Sequence, residues 1–284
     1  KIKKIPFIPM SGFKGENLTE KSTNMPWYKG FNVNLTKDKK VAGHTLVDAL
    51  NDMVQVPKRP VESPVRVPTS GCFKIKGVGD IITGRVEQGV LKPGVTVGFS
   101  PSGSSGKVFS IEMHHKNVEQ ATPGDNVGMN IKNIPKDKPI CGGDVMYVID
   151  DPQEYKTPGE IGEFKATVMV QEHPGKLYGS DEKKSRSGFS PSIHVRTAKA
   201  QCQMYKILWK MGKSTGGTKM EDPEYLEQGD QAEVVFRPKM PIYLESFEKC
   251  EGLGRIAAMD SNTLVMLGKV SEISLKGEDS LFSV

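Results

Sequence analysis

The chain is poor in cysteine, has no long apolar run, and lacks the glycine-rich loop that cradles phosphates. Its four cysteines (Cys72, Cys141, Cys202, Cys250) are scattered, with no Cys-x-x-Cys pair and no histidine at metal-ligand spacing. That argues against a disulfide-built scaffold and a zinc site, and predicts buried free thiols in a reducing compartment. No apolar stretch approaches the roughly 18 residues that a membrane-crossing helix needs. The opening KIKKIPFIPM has too short an apolar part, broken by Pro6 and Pro9, for a secretory signal. A cytoplasmic protein without membrane contact is the expectation. No Met opens the chain, which reads as a fragment. No G-x-x-x-x-G-K followed by Ser or Thr occurs, nor an Asp-containing magnesium motif, nor Asn-Lys-x-Asp. No nucleotide or metal is expected to bind this stretch by itself.

What is present is turn-rich and mildly basic. Thirty glycines and nineteen prolines in 284 residues favour short strands and frequent turns. The length suits about two domains. The net charge of +5, from 39 basic and 34 acidic residues, is compatible with a polyanionic partner but weak as a signal.

Residues 1–55 form one region. Residues 4–10 read as a short buried strand, and 11–18 as a loop entering a short helix. Residues 43–54 carry apolar positions at helical spacing, with Thr45 as the cap. One strand and two helices cannot enclose a core, so this region is expected to pack on further structure. Residues 56–64 hold three prolines and read as a linker. From Val65 to residue 153, turn signals separate strand-like stretches every 8–12 residues, predicting a β-sandwich or barrel. Residues 154–272 repeat that pattern, and 273–284 are expected to fray.

The richest stretch is Ile111–Ile131, IEMHHKNVEQATPGDNVGMNI. Its two ends alternate apolar and polar residues, as half-buried strands do, and Thr122-Pro123-Gly124-Asp125 is turn chemistry. The polar residues around that turn are either ordinary barrel surface or a small recognition pocket. The glycines of Gly77-Val78-Gly79-Asp80 precede no helix, so they are hairpin glycines rather than a dinucleotide loop. His173 and His194 have no second ligand at useful spacing, and Pro174 marks a turn. Residues 180–187 read as a polar, solvated loop. Between Arg196 and Lys219 lie six basic residues and no acidic one, either a phosphate-binding face or a solvated strand.

These segments resemble the translational GTPases. IEMHH followed by GDNVG, together with KIKGVGDIITGRVEQGVLKPG, is similar to the second domain of elongation factor 1-alpha and elongation factor Tu. PFIPMSGFKGENL and NMPWYKG resemble the end of the GTP-binding domain in the same family, and CEGLGRIAAMD resembles its third domain. GKVFSIEMHH and WKMGKSTGGTKM look closest to the elongation-factor-like branch. The resemblance implies a mainly β fold: two consecutive β-barrels preceded by the C-terminal α/β remnant of a GTP-binding domain. It implies GTP-dependent delivery of aminoacyl-tRNA to the ribosome, with GTP hydrolysis by the full-length protein and GTP or GDP with magnesium as its cofactor. Aminoacyl-tRNA, the ribosome and a guanine-nucleotide exchange factor are the implied partners.

Residue by residue, the resemblance places Ser11 and Gly12 at the guanine. It places Glu112 near the terminal adenosine, and Asn126 and Phe73 in the wall of an amino-acid pocket. Arg85 and His114 belong to the same aminoacyl-end motif. Arg255 is assigned to the T-stem or a domain interface. Where bacterial relatives often carry Arg this chain has His115, and the acidic residues before the Phe are replaced by Ser70-Gly71-Cys72. Two alternatives stand beside this one. One is a release or ribosome-rescue GTPase, which needs no amino-acid pocket; the other is a GTPase-free barrel scaffold.

Overall fold

The computed structural model describes residues 5–36, 39–54, 59–149, 151, 159–171, 173, 175–278 and 280–281. The chain divides into two compact units, Lys1–Lys58 and Arg59–Val284.

In the first unit, strands β1 (Phe31–Asn34) and β2 (Lys40–Gly43) form an antiparallel pair. Helix α1 (Leu46–Met53) follows. Thr45 starts it with a reciprocal capping box: the Asp48 N–H donates to the Thr45 hydroxyl, and the Thr45 N–H donates to the Asp48 carboxylate. Two backbone donors, from His44 and Thr45, hold the Asp48 carboxyl below its usual range. The unit's core is small: Phe31, Val33, Val41 and Ala49, with Ile8, Leu35 and Met53 against them. Large apolar side chains remain exposed, among them Phe7, Phe13, Trp27 and Leu50. Two sequence expectations are corrected here. The described residues of 4–10 form no strand, and Phe7 is 70% exposed. Residues 11–18 form a turn closed by the Ser11–Glu16 bridge rather than entering a helix. Pro6 and Pro9 lack the N–H donors a ladder needs, and Gly12 and Gly15 favour turns.

The second unit carries two closed barrels. The first uses β3 (Val67–Ile75), β4 (Gly79–Arg85), β5 (Thr96–Ser100), β6 (Ser104–Met113), β7 (Lys116–Val118), β8 (Asn126–Lys132) and β9 (Val145–Val148). Neighbours run β5-β9-β3-β4-β8-β6, and β6 returns to β5; β7 extends β6 outside the closure. Alternation directs Val67, Ile82, Val97, Phe99, Val108, Ile111, Met129 and Ile131 inward, each nearly inaccessible. Gly77 and Gly79 take left-handed φ in the β3–β4 hairpin, as their hairpin reading requires.

The second barrel uses β10 (Ile161–Val170), β11 (Leu177–Tyr178), β12 (Ser192–Val195), β13 (Ala198–Met211), β14 (Met220–Glu221), β15 (Tyr225–Leu226), β16 (Gln231–Pro238), β17 (Arg255–Asp260) and β18 (Thr263–Leu275). Here β12-β17-β18-β10-β16-β13 closes on β12, with β14 added to β13; β11 and β15 pair separately. The fold is therefore mainly β, as expected. The tail begins later than expected, because β18 stays paired with β10 to Leu275. Ser280 and the Leu281 N–H then donate to Glu163. Residues 180–187 are more than a solvated loop: Asp181 and Arg186 bridge, and Lys184 and Arg186 both pair with Glu224. At the turn after β10, the Gly175 N–H donates to His173 Nδ1 at 3.1 Å, and the ring packs on Phe189. Pro174 lies outside the described residues.

The barrels are joined by buried polar contacts. Arg66, completely buried, donates from Nε to Glu245 at 2.5 Å and to Tyr243 at 3.0 Å. Val145 of β9 joins the second barrel's core cluster.

Candidate functional site

An open groove of about 690 Å³ runs along the outside of the first barrel and ends at the second. Three adjacent strands supply its wall. Arg85 on β4 stands opposite Asn126 on β8, and Gly128 on β8 stands opposite Glu112 on β6. Gly128 contributes no side chain, so a floor remains open between Glu112 and Thr83. Adding a Cβ there would meet only Ile81, at 3.7 Å. Ser70 and Thr83 line the far side, their hydroxyls 3.0 Å apart.

The turns that place these side chains are well defined. The Thr122 N–H and hydroxyl donate to the Asp125 carboxylate at 2.8 and 2.9 Å, and Gly124 takes φ 99°. Asp125 is thus held by its own loop and pairs with Arg59 at 3.8 Å, and Asn126 is delivered at the first position of β8. His114 and His115 form the two-residue loop between β6 and β7, with φ of 52° and 62°. Two left-handed central residues define a type I′ turn, which ordinarily favours Asn-Gly. Histidine tolerates that region better than branched residues, at a cost of order 1 kcal/mol or more each. Arg196, which lines the groove from the turn between β12 and β13, has φ 52°. Three non-glycine residues with left-handed φ thus border one groove.

Electrostatics separate structural charges from free ones. Glu87, with a side chain 8% exposed, pairs with Arg196 at 2.7 Å, while its other oxygen is buried without a partner among the described residues. Gly252 sits against both groups, where any side chain would collide with them. By contrast Arg85, Glu112, His114, His115 and Asn126 make no side-chain hydrogen bond or ion pair among the described residues. The groove therefore offers a guanidinium, a carboxylate, two imidazoles and an amide together, all free to meet a ligand with donors, acceptors and negative charge.

Of the residues singled out in the sequence, Arg85, Glu112, His114 and Asn126 are brought together. Phe73 is not. It is 55% exposed opposite Ile81, and it lines a separate depression of about 320 Å³ beside Cys72 and Ile134. An extra residue in β3 between Thr69 and Gly71 puts Ser70 in the groove, its hydroxyl against that of Thr83. Ser11 and Gly12 lie in the first unit's turn, where the Ser11 hydroxyl accepts the Lys14 N–H at 3.3 Å. With no phosphate loop in the sequence, these two residues do not by themselves fit GTP and magnesium. Arg255 projects from β17 over Phe247, 4.9 Å from the ring centre, and pairs with Glu251. It lines a different, largely apolar depression of about 710 Å³ with Met169, Leu267 and Lys269.

The basic run does not survive folding as a positive face. Arg196, Lys206, Lys210 and Lys219 pair with Glu87, Asp222, Asp230 and Glu221. Lys210 and Asp230 are both buried. The carboxylates come from outside the run, three of them from loops, so the run's composition overstated its charge. Conversely, Arg196 reaches the groove from the second barrel, a placement no local pattern announces.

Comparison with known proteins agrees with both barrels. Residues 79–147 match the family described as Elongation factor Tu domain 2, and residues 163–271 match GTP-eEF1A C-terminal domain-like. The Elongation factor 1-alpha of Saccharomyces cerevisiae is 39% identical over 272 residues, covering 95% of this chain and 56% of the relative. The chain is similar to elongation factor 1-alpha over nearly its whole length. Relatives from Desulfurococcus mucosus and Entamoeba histolytica are 40% and 41% identical over 272 and 275 residues, covering 96% and 95% of this chain. The chain spans about half the length of these curated relatives, 56% and 55% of the two. A solved structure of sup35 complexed with GDP superposes with a TM-score of 0.64 over 92% of this chain and 57% of that one. At 22% identity it bears on the fold alone. The groove lies on the barrel that matches Elongation factor Tu domain 2 and borrows its end wall from the barrel that matches GTP-eEF1A C-terminal domain-like. Among the described residues, no helix is long and apolar enough to cross a membrane.

Proposed function

We propose that this chain carries the aminoacyl-tRNA-binding barrels of a translation elongation factor that delivers aminoacyl-tRNA to the ribosome in the cytoplasm. The observation that carries this reading is the gathering of free Arg85, Glu112, His114 and Asn126 around an open floor at Gly128. A carboxylate at Glu112 accepts from adenine or ribose donors. The Asn126 amide meets the amine or carbonyl of an esterified amino acid. Arg85 and His114 face the phosphates of the acceptor end, beside the Arg196–Glu87 pair. Splayed single-stranded ends are what such a groove suits, because their unstacked bases expose hydrogen-bonding edges. Arg255 lies outside this groove and serves the T-stem or an interface. Phe73, in its separate depression, forms no part of the pocket proposed here.

GTP hydrolysis to GDP and phosphate belongs, in this reading, to a nucleotide-binding domain of the full-length protein. Ser11 and Gly12 supply backbone contacts to guanine there. The exposed Phe7, Phe13, Trp27 and Leu50 pack against the rest of that domain.

The test is binding of aminoacyl-tRNA against the same tRNA uncharged, measured by fluorescence with this chain. The charged form is expected to bind more tightly, and Glu112→Ala or Asn126→Ala to narrow the difference. Equal binding of the two forms by the unsubstituted chain would reject the pocket, and with it the elongation reading in favour of a release or rescue factor.

A further inference from the structure

The four thiols divide into two kinds. Cys202 and Cys250 are buried, and burial pushes both up to about 12, so they stay protonated and inert. Cys72 and Cys141 are exposed, which corrects the expectation that all four would be buried. They are far apart in sequence, yet folding brings their segments to one edge of the first barrel.

The ladder between β3 and β9 sets this up. Pro68 stands opposite Val145, and the Thr69 N–H donates to the Asp144 carbonyl at 2.8 Å. From Asp144 the chain turns back through Gly143 and Gly142 to Cys141, whose carbonyl accepts the Thr69 hydroxyl at 2.8 Å. Pro139 and Ile140, just before it, wall the same depression as Cys72 and Phe73. Cys141 Sγ lies 3.7 Å from the Pro139 carbonyl. Cys141 is therefore held between Thr69, three residues from Cys72, and a segment sharing a wall with Cys72. Burial raises the Cys72 thiol, and the negative charges of Asp144, Cys141 and Asp80 raise it further.

We propose that Cys72 and Cys141 are a peroxide-oxidisable dithiol, a modification site that closes into a disulfide tying β3 to the segment before β9. In the first step one thiol takes an oxygen from hydrogen peroxide, giving a sulfenic acid and one water. In the second, the other sulfur, as thiolate, attacks the sulfenic sulfur, forming the S–S bond and expelling the oxygen as a second water. Two electrons pass from the thiols to the peroxide. Neither carbonyl hydrogen bond of the 141–144 turn need break, because those bonds use main-chain oxygens.

The experiment treats the full chain with hydrogen peroxide, counts thiols after denaturation, and maps peptides without reduction. The thiol count is expected to fall from four to two, with Cys72 joined to Cys141 inside a monomer, and a reductant to restore all four. Cys72→Ser and Cys141→Ser should each abolish the linked peptide. Their remaining exposed thiol should stop at a sulfenic acid. Dibromobimane, which fluoresces on bridging two neighbouring thiols, should label the unoxidised chain and neither variant. No linked peptide, a linkage between two chains, or one involving Cys202 or Cys250 would overturn the assignment.

Discussion

Gly128 shows how much a missing side chain can do. Its position opposite Glu112 keeps the groove open, and a Cβ there would meet only ordinary contact from Ile81. Gly128→Leu is expected to fill the groove without disturbing the barrel. Aminoacyl-tRNA affinity should fall about tenfold or more, a loss of roughly 1.4 kcal/mol, while the thermal midpoint barely moves. A titration paired with a melting curve checks both halves. Glu163 illustrates a charge held for structure. Burial alone would raise its carboxyl, but hydrogen bonds from Ser280, Arg237 and the Leu281 N–H, with the Arg237 charge, outweigh that and lower it. A lowered folded-state value means its stabilisation is present above the ordinary carboxylate range and is lost as pH falls through the lowered value. Glu163→Gln should therefore melt earlier than the unsubstituted chain at pH near 7. The gap should narrow as pH falls below the ordinary glutamate value.

At the scale of elements, the β6–β7 hairpin carries the most informative conflict. His114 and His115 occupy conformations that Asn-Gly would adopt with less strain. Replacing both by Asn-Gly should raise stability by about 1 kcal/mol or more, read from the urea midpoint, and should weaken tRNA binding because both imidazoles leave the groove. Unchanged binding would assign the histidines to the hairpin alone. Most strands here were legible locally: β4, β6 and β8 alternate apolar and polar residues, and glycines mark the intervening turns. The site was legible to the same extent, since Arg85, Glu112 and Asn126 lie on those strands. The misread elements involved proline or strand ends. Residues 4–10 are apolar but rich in proline, so their composition resembles a strand that their missing donors prevent. The end of β18 has little apolar content, yet pairing with β10 holds it to Leu275.

Across the whole molecule, the barrels are locked by the buried contact of Arg66 with Glu245 and Tyr243. Removing one partner of such a pair strands the other charge. Arg66→Met is expected to cost about 3–5 kcal/mol in urea unfolding. Adding Glu245→Leu should recover much of that loss, since the stranded carboxylate is then gone. No gain in the double variant would mean the pair is not an isolated charge couple. This rigid junction matters for the groove, because Arg196 and Thr197 reach it from the second barrel. A hinge there would separate Arg196 from Glu87 and open the groove's end.

By itself the sequence determined the all-β character of residues 65–272, the turns that punctuate it, and four of the polar residues that share a groove. The strands and turns follow from side-chain alternation and turn chemistry, which act over a few neighbouring residues, whereas the four polar residues were named by the family resemblance. Only the tertiary structure decided which charges are free and which are spent. It paired four cations of the basic run with carboxylates, set Phe73 in a depression of its own, exposed Cys72 and Cys141, and supplied Arg196 from the second barrel. The reason is barrel closure: it joins strands distant in the chain, and the register between them sets each side chain's partner.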